Sequence, residues 1–474
     1  MALDRWPHVG PSGRWVAGGP GGAPAGAVDV VPGQPLVGRI RVPGDKSISH
    51  RALLLAARAG GRSVIRGLSD GNDVRRTALA LAAMGADLRA SSGAPAVTGR
   101  LALPGVGQVE ILGGTDVLHE PEGPLDVGNS GTAIRLLAGW AAAFDWLTVL
   151  HGDEYIARRP MGRVVDPLRL MGATIDGREQ GRLPPLVIRG GHLTGLTYDL
   201  PVASAQVKAA VLLAGLGADG TTTVREPAPV RAHTEELLAR AGADVSVSAD
   251  GAVVSVRRSA LQSFDLEVPG DPSQAAFWVV AGCVVPGSDV TIEGVYVGRA
   301  RAGFLDVLRR MGADITVTML DDTTADIRVR ASELRATVVG GDEVPGLIDE
   351  IPALAVAAAC ADGVTEFRDA AELAVKETDR IATMTHALAA LGAATEPRPD
   401  GLVVTGGGRL HGGTVDAAGD HRIAMAGLVA ALTADGQSRV QGWDAVMTSY
   451  PGFLDDLAIL QGRQGLPGRQ GLPR

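Results

Sequence analysis

The chain has 474 residues, too many for one ordinary hydrophobic core, so two domains of about 200 residues each are expected. Hydrophobic residues make up 46% and charged residues 20%, which excludes a disordered chain. The formal charge of −9 has the wrong sign for a general nucleic-acid binder, and the longest apolar run, Ala275 to Val285, is well short of the roughly 20 residues that cross a bilayer.

In chain order, residues 1–30 are rich in Gly, Pro and Ala without periodicity and are expected to form a disordered leader. No charged segment followed by an apolar one opens the chain, so no secretory signal is read there. A local pattern then recurs: a helical run of Leu and Ala, a glycine turn and an alternating strand. It is found at Leu81-Ala-Ala-Met-Gly-Ala-Asp87, Leu168-Arg-Leu-Met-Gly-Ala-Thr174 and Leu238-Ala-Arg-Ala-Gly-Ala-Asp244. It returns at Leu308-Arg-Arg-Met-Gly-Ala-Asp314 and Leu388-Ala-Ala-Leu-Gly-Ala-Ala394, with a degenerate sixth copy at Leu460-Gln-Gly462. Each glycine is the expected left-handed residue that ends a helix. Strands such as Val245-Ser-Val-Ser248 and Ile315-Thr-Val-Thr318 follow. Units of roughly 70–90 residues, three per domain, imply an internally repeated α/β architecture. The tail, 463–474, is low in complexity. Cys283 and Cys360 sit inside apolar runs and read as small buried hydrophobes; neither a disulfide nor a metal site is indicated, and a reducing cytoplasm is expected.

Only three of the 44 basic residues are lysines: Lys46, Lys208 and Lys376. An ammonium retained in so arginine-biased a chain points to places that need a compact, deprotonatable charge. Two of them lie at helix starts that carry the wrong sign of charge for the helix dipole. Gly44-Asp-Lys-Ser47 opens a Leu- and Ala-rich helix, with Ser47 and Arg51 on one face. Lys376 and Arg380 flank the start of another, and Asp420-His-Arg422 opens a third. Gly128-Asn-Ser-Gly-Thr132 starts a fourth whose small residues expose backbone N–H groups, with Arg135 one turn in. Cations on the positive ends of helices repel one another unless anions sit among them, so the pattern implies a site for a phosphate and a carboxylate. No P-loop string is present. Glu377 lies between two of the cations, and the adjacent Asp349 and Glu350 precede an apolar helix over 353–361. Acids beside an anion site point to general acid–base chemistry, while Asp420 reads as a helix cap.

The strings Pro43-Gly-Asp-Lys-Ser-Ile-Ser-His-Arg51, Gly128-Asn-Ser-Gly-Thr-Ala-Ile-Arg135, Arg159-Pro-Met-Gly-Arg163, Ser204-Ala-Gln206, Val375-Lys-Glu-Thr-Asp-Arg380 and Asp420-His-Arg422 resemble the 5-enolpyruvylshikimate-3-phosphate synthases, in that family's order, from about residue 30 to 460. The resemblance implies an α/β, two-domain enolpyruvyl transferase fold, each domain built of three βαβαββ units as an inverse α/β barrel. It implies one discontinuous domain, 31–44 with 271–462, and an inserted domain, 45–270. It also implies transfer of the enolpyruvyl group of phosphoenolpyruvate to the 5-hydroxyl of shikimate 3-phosphate without metal or organic cofactor, in a cytoplasmic monomer with no nucleic-acid or membrane partner.

By the same resemblance Lys46, Asp349 and Glu377 are catalytic. Phosphoenolpyruvate is expected to meet Lys46, Gly131, Arg159, Gln206, Arg380 and Arg422. Shikimate 3-phosphate is expected to meet Lys46, Ser47, Arg51, Ser204, Gln206, Arg231, Asp349 and Lys376. One departure stands out: where many relatives carry a lysine before an aromatic-Pro pair, this chain has Thr448 in Met447-Thr-Ser-Tyr-Pro451. Two rivals are weighed. The enolpyruvyl transferase acting on UDP-N-acetylglucosamine typically has a cysteine in the loop that here reads Asp153-Glu-Tyr-Ile-Ala-Arg-Arg159. A non-catalytic anion-binding scaffold would not need Lys46, Asp349 and Glu377 together.

Overall fold

In the computed structural model, residues 26–90 and 108–463 are described. Among them are five four-stranded sheets and one three-stranded sheet, all built to one plan. A short strand pairs in parallel with a second, whose other neighbour is antiparallel and, in the four-stranded sheets, is followed by a further antiparallel strand. Thus Leu125–Asp126 pairs with Leu147–His151, which pairs with Leu183–Arg189 and then Thr174–Gly177. Two helices complete each unit; in four units the first lies directly between the parallel strands, where a crossover connection is required, while Gly61–Arg66 and Asp289–Tyr296 take their parallel partners, Asp265–Glu267 and Val37–Ile40, from distant parts of the chain.

The two helices differ in how they are stabilised. The second of each unit is the one whose end the repeated sequence string marks. Gly85, Gly172, Gly242, Gly312, Gly392 and Gly462 follow these helices with φ of 97, 109, 73, 100, 84 and 67°, the left-handed conformation that a side chain would resist. The sixth, degenerate copy therefore behaves as the other five do. The first helices, Lys46–Arg58, Gly131–Ala142, Ala205–Gly215, Pro272–Val284, Ile351–Cys360 and His421–Ala431, are buried almost throughout. Their Ala, Gly and Leu content follows from that burial. Gly139 approaches the neighbouring helix so closely that a Cβ there would lie 2.1 Å from the carbonyl oxygen of Ala210.

Two hydrophobic cores result. One draws on residues between Ile48 and Val268, with Tyr296 added; the other on Val30–Val42 and on residues between Ala275 and Leu460. The chain crosses between them twice, and the crossings are bonded to each other. Asp45 N donates to Pro269 O at 2.7 Å, and Asp271 N donates to Pro43 O at 2.9 Å.

Two expectations need correction. Residues 27–30 do not belong to a disordered leader. Ala27–Val30 is a strand antiparallel to Ser438–Gln441 and completes the sixth sheet, with Asp29 paired to Arg439 at 2.7 Å. Its sequence lacked a strong alternation because only four residues are needed to fill that place. The remainder of the leader, 1–25, and 464–474 of the tail lie outside the described residues. Cys283 is buried, but Cys360 at the end of its helix is only partly so, with its thiol 3.7 Å from Thr433 Oγ1.

At the crossing, a Cβ on Gly44 would lie 1.8 Å from the carbonyl oxygen of Gly67. Backbone cannot yield as a flexible side chain can, so Gly44→Ala is expected to lower the unfolding free energy by about 1–3 kcal/mol or more. A urea midpoint equal to that of the parent would contradict this reading.

Candidate active site

The six buried helices bring their N-termini together, and the side chains singled out in the sequence sit on those ends or at the starts of neighbouring second helices, as Arg159, Arg231, Lys376, Glu377 and Arg380 do. Asp45 caps Lys46–Arg58 by accepting from Ile48 N at 2.8 Å. The cap turns Lys46 towards Asp73, the ammonium lying 3.0 Å from Asp73 Oδ2. Ser47 and Arg51 are buried on one face, as their spacing predicts, and Arg51 donates to Ser47 O at 2.9 Å and Thr234 Oγ1 at 2.7 Å. Burial lowers the Arg51 pKa to about 10, which leaves it charged at neutral pH.

Ser130 caps Gly131–Ala142, accepting from Ala133 N at 3.1 Å. Gly131 stands under the arginines: a Cβ there would lie 2.5 Å from Arg159 Nη1 and 3.4 Å from Arg135 Nη1. Ser204 caps Ala205–Gly215. Gln206 in the first turn accepts from Arg135 at 2.5 Å and donates to Thr132 Oγ1 at 3.0 Å.

From the other half come the acids and the remaining cations. Asp349, just ahead of Ile351–Cys360, lies 2.7 Å from Arg231, 3.3 Å from Lys376 and 3.4 Å from Arg380. Its backbone oxygen accepts from Arg422 at 2.9 Å. Burial opposes its ionisation, but Lys376, Arg422, Arg231 and Arg380 outweigh burial and hold the carboxyl well below the usual range. Glu377 lies 2.5 Å from Arg380 Nη2 and 3.0 Å from Arg159 Nη2. Burial likewise resists its charge and is overcome by Arg380, Arg159, His421 and Lys46, leaving the carboxyl far below its ordinary value. Arg380 is itself buried and donates from Nε to Asp420 Oδ2 at 2.8 Å. Burial pushes the His421 pKa down to about 4, so this ring is neutral at pH 7.

All thirteen predicted residues, Lys46, Ser47, Arg51, Gly131, Arg159, Ser204, Gln206, Arg231, Asp349, Lys376, Glu377, Arg380 and Arg422, are thus at or beside the convergent helix ends. Glu350 is not. Its carboxylate turns away from Asp349 into a buried pair with Arg301 at 3.0 Å, so only one of the two adjacent acids faces the cations. Lys208 is also elsewhere, buried between Glu226 at 2.6 Å and Glu235 at 2.7 Å. A compact ammonium fits between those carboxylates, so its retention is structural. Thr448 supplies no charge; its hydroxyl donates to Ala445 O at 2.7 Å. Its backbone lies against Gly71, whose Cβ would come 2.4 Å from Thr448 O, at the start of the helix carrying Asp73.

Sequence reasoning missed Asp73 and gave Asp420 only its capping role. Asp420 does cap His421–Ala431, accepting from Arg422 N at 2.9 Å, but its other oxygen holds Arg380. A cap with a second buried partner has the same sequence signature as a plain cap.

The six-unit α/β fold is shared with proteins of known structure. The enolpyruvyl transferase NikO from Streptomyces tendae has the same fold at 21% identity, with a TM-score of 0.74 over 92% of this chain and 98% of that one. The family model for EPSP synthase (3-phosphoshikimate 1-carboxyvinyltransferase) matches residues 30–457. The 3-phosphoshikimate 1-carboxyvinyltransferase of Gloeobacter violaceus is 50% identical over 91% of this chain and 98% of its own length. The enzyme of the same name from Pelotomaculum thermopropionicum is 48% identical over 89% and 96%. The solved EPSP synthase of Acinetobacter baumannii is 39% identical, with a TM-score of 0.79 over 93% and 98%. The chain belongs to the EPSP synthase family.

The depressed carboxyls make a prediction about stability. Asp349 and Glu377 in the unfolded chain titrate near about 3.9 and 4.3. Their folded values lie well below, so the stabilisation is full above the unfolded values and is lost as pH falls towards the folded ones. The urea midpoint is expected to fall steadily below about pH 4, and the decline should be shallower in Asp349→Asn. Equal slopes for variant and parent would show that Asp349 is not held in this way.

Proposed function

We propose that the chain transfers the enolpyruvyl group of phosphoenolpyruvate to the 5-hydroxyl of shikimate 3-phosphate, with phosphate leaving, in the cytoplasm and as a monomer. The observation that carries the reading is the pair of carboxylates held ionised among cations, Asp349 among Arg231, Lys376 and Arg380, and Glu377 between Arg159 and Arg380. Addition needs the hydroxyl proton removed as its oxygen attacks the enol carbon, and it needs a proton delivered to the methylene carbon. Asp349, an ionised acceptor, takes the first. Lys46, an ammonium donor, gives the second. Elimination then reverses the change at carbon, with Glu377 as an acceptor for the methyl proton while phosphate departs.

The anions would be held by matching groups. The phosphate and carboxylate of phosphoenolpyruvate suit Lys46, Arg159, Arg380 and Arg422, with the Gly131 backbone and Gln206 beside them; guanidinium forks fit both anions. Shikimate 3-phosphate would lie against Lys46, Ser47, Arg51, Ser204, Gln206, Arg231 and Lys376, with Asp349 at its 5-hydroxyl. The absence of a side chain at Gly131 leaves Arg159 where it is, since a methyl there would have to displace its guanidinium. The two cores support a division into an inserted domain, 45–270, and a discontinuous one, 31–44 with 271–462, and both supply substrate ligands. Closing one on the other around two anions would offset the repulsion between their basic faces.

Phosphate release, measured with each substrate alone and with both, tests the reading. Release is expected only with both, and Asp349→Ala is expected to reduce kcat by about 10²–10⁴-fold. Binding of both ligands to the wild-type chain without release would leave an anion-binding scaffold instead.

A further inference from the structure

Arg301 lies outside every motif and is fully buried where the chain crosses between the two halves. All of its donors are used. Nε and Nη2 reach Asp45 Oδ2 at 3.2 and 3.0 Å, and Nη2 also reaches Asp271 Oδ1 at 2.6 Å. Nη1 reaches Ser273 Oγ at 2.7 Å and Glu350 Oε1 at 3.0 Å. Ser273 Oγ in turn donates to the same Glu350 oxygen. Ala300, the preceding residue, has a φ of 52°, a conformation that a non-glycine residue adopts only when its surroundings impose it.

The three carboxylates are not equivalent bystanders. Asp45 caps the helix that begins with Lys46, and Asp271 caps Pro272–Val284 while also accepting from Lys46 N at 3.1 Å. Glu350 immediately follows Asp349 and directly precedes Ile351–Cys360. One guanidinium therefore ties together three helix N-termini from both halves, and each of two proposed catalytic residues is one position from an acid that it holds. The two crossing strands, bonded through Asp45 N and Asp271 N, lie within the same cluster.

We propose that Arg301 is a positioning residue: it pins the two crossings and the helix ends beside them so that Lys46 and Asp349 are set at a fixed separation across the substrate. It touches neither substrate. Each carboxylate alone could cap its helix, but only a group with a planar set of five donors can satisfy all three acids and the serine at once. Removing it would also leave three buried carboxylates without a common counter-charge. The inference rests on the reaction assigned under Proposed function.

Arg301→Lys keeps the charge and loses the fork, and two kinds of readout test it. In hydrogen exchange, the amides of Asp45, Lys46 and Asp271 are expected to exchange at least tenfold faster than in the wild type. Shikimate 3-phosphate, most of whose proposed ligands lie in one half, should still bind one site per chain with a Kd within threefold of the wild type. In the same preparation kcat for phosphate release should fall at least thirtyfold. Exchange and kcat both within threefold of the wild type would overturn the proposal. So would a loss of binding stoichiometry in step with kcat, because that pattern means a misfolded fraction and not a misplaced pair. Should Arg301→Lys not fold, Glu350→Gln removes one arm: a kcat at least fivefold lower with unchanged binding is expected, and an unchanged kcat overturns the idea. A wild-type chain that binds its substrates and releases no phosphate would instead overturn the assigned reaction, with the exchange measurement still deciding the fate of the Arg301 clamp.

Discussion

The interaction on which the rest of this structure depends is the balance between cations gathered at helix N-termini and the carboxylates buried among them. Each helix end already carries partial positive charge, and Lys46, Arg159, Arg231, Lys376, Arg380 and Arg422 are added to six of them or their surroundings. Two unit charges 4 Å apart repel by about 4 kcal/mol at the effective dielectric of a protein near its surface. A few such pairs would exceed the whole stability of a domain. Asp73, Asp349, Glu377 and Asp420 answer this, each within 3.5 Å of a guanidinium or ammonium. The same arrangement suits the proposed chemistry, because a carboxylate kept ionised by its neighbours can accept a proton and clustered cations attract phosphate.

The fold makes this balance possible by repetition. Six copies of one unit place six buried helices with their N-termini together, so a motif at the start of any first helix arrives at the same place. Second helices end in left-handed glycines, and what they give the site comes from their first turns, as with Asp73 and Arg380. This division of labour explains why the sequence has two kinds of landmark. The glycine strings mark the ends of the second helices and repeat because their job is the same in every copy. The helix-start strings differ from one another because each contributes a different group to one composite site.

Much of this was legible in the sequence for that reason. Local signals sufficed for the helix stops at Gly85 or Gly312, for the reversed charge at Lys46 and Arg422, and for the facing of Ser47 and Arg51. What escaped depends on contacts between residues far apart in the chain. Asp73 gains its role only because the helix that carries it packs against the helix that begins with Lys46. Arg301 sits in an ordinary-looking Arg-Ala-Arg-Ala stretch and meets three acids from three other segments. Glu350 follows Asp349 directly, yet the two side chains diverge at a helix start, and adjacency cannot say which of them faces the site. Ala27–Val30 becomes a strand because a sheet built from the far end of the chain lacks a partner there.

The central claim is that this cluster carries out addition followed by elimination, with a proton entering and leaving the methylene carbon of the enolpyruvyl group. Running the reaction in deuterium oxide and examining the vinyl group of the product tests it most directly. The account predicts deuterium on the vinyl carbon, since a transient methyl group must form and lose one of its hydrogens. A product formed at full rate with no deuterium in that position would contradict the assigned roles of Lys46 and Glu377 and the two-step chemistry they serve.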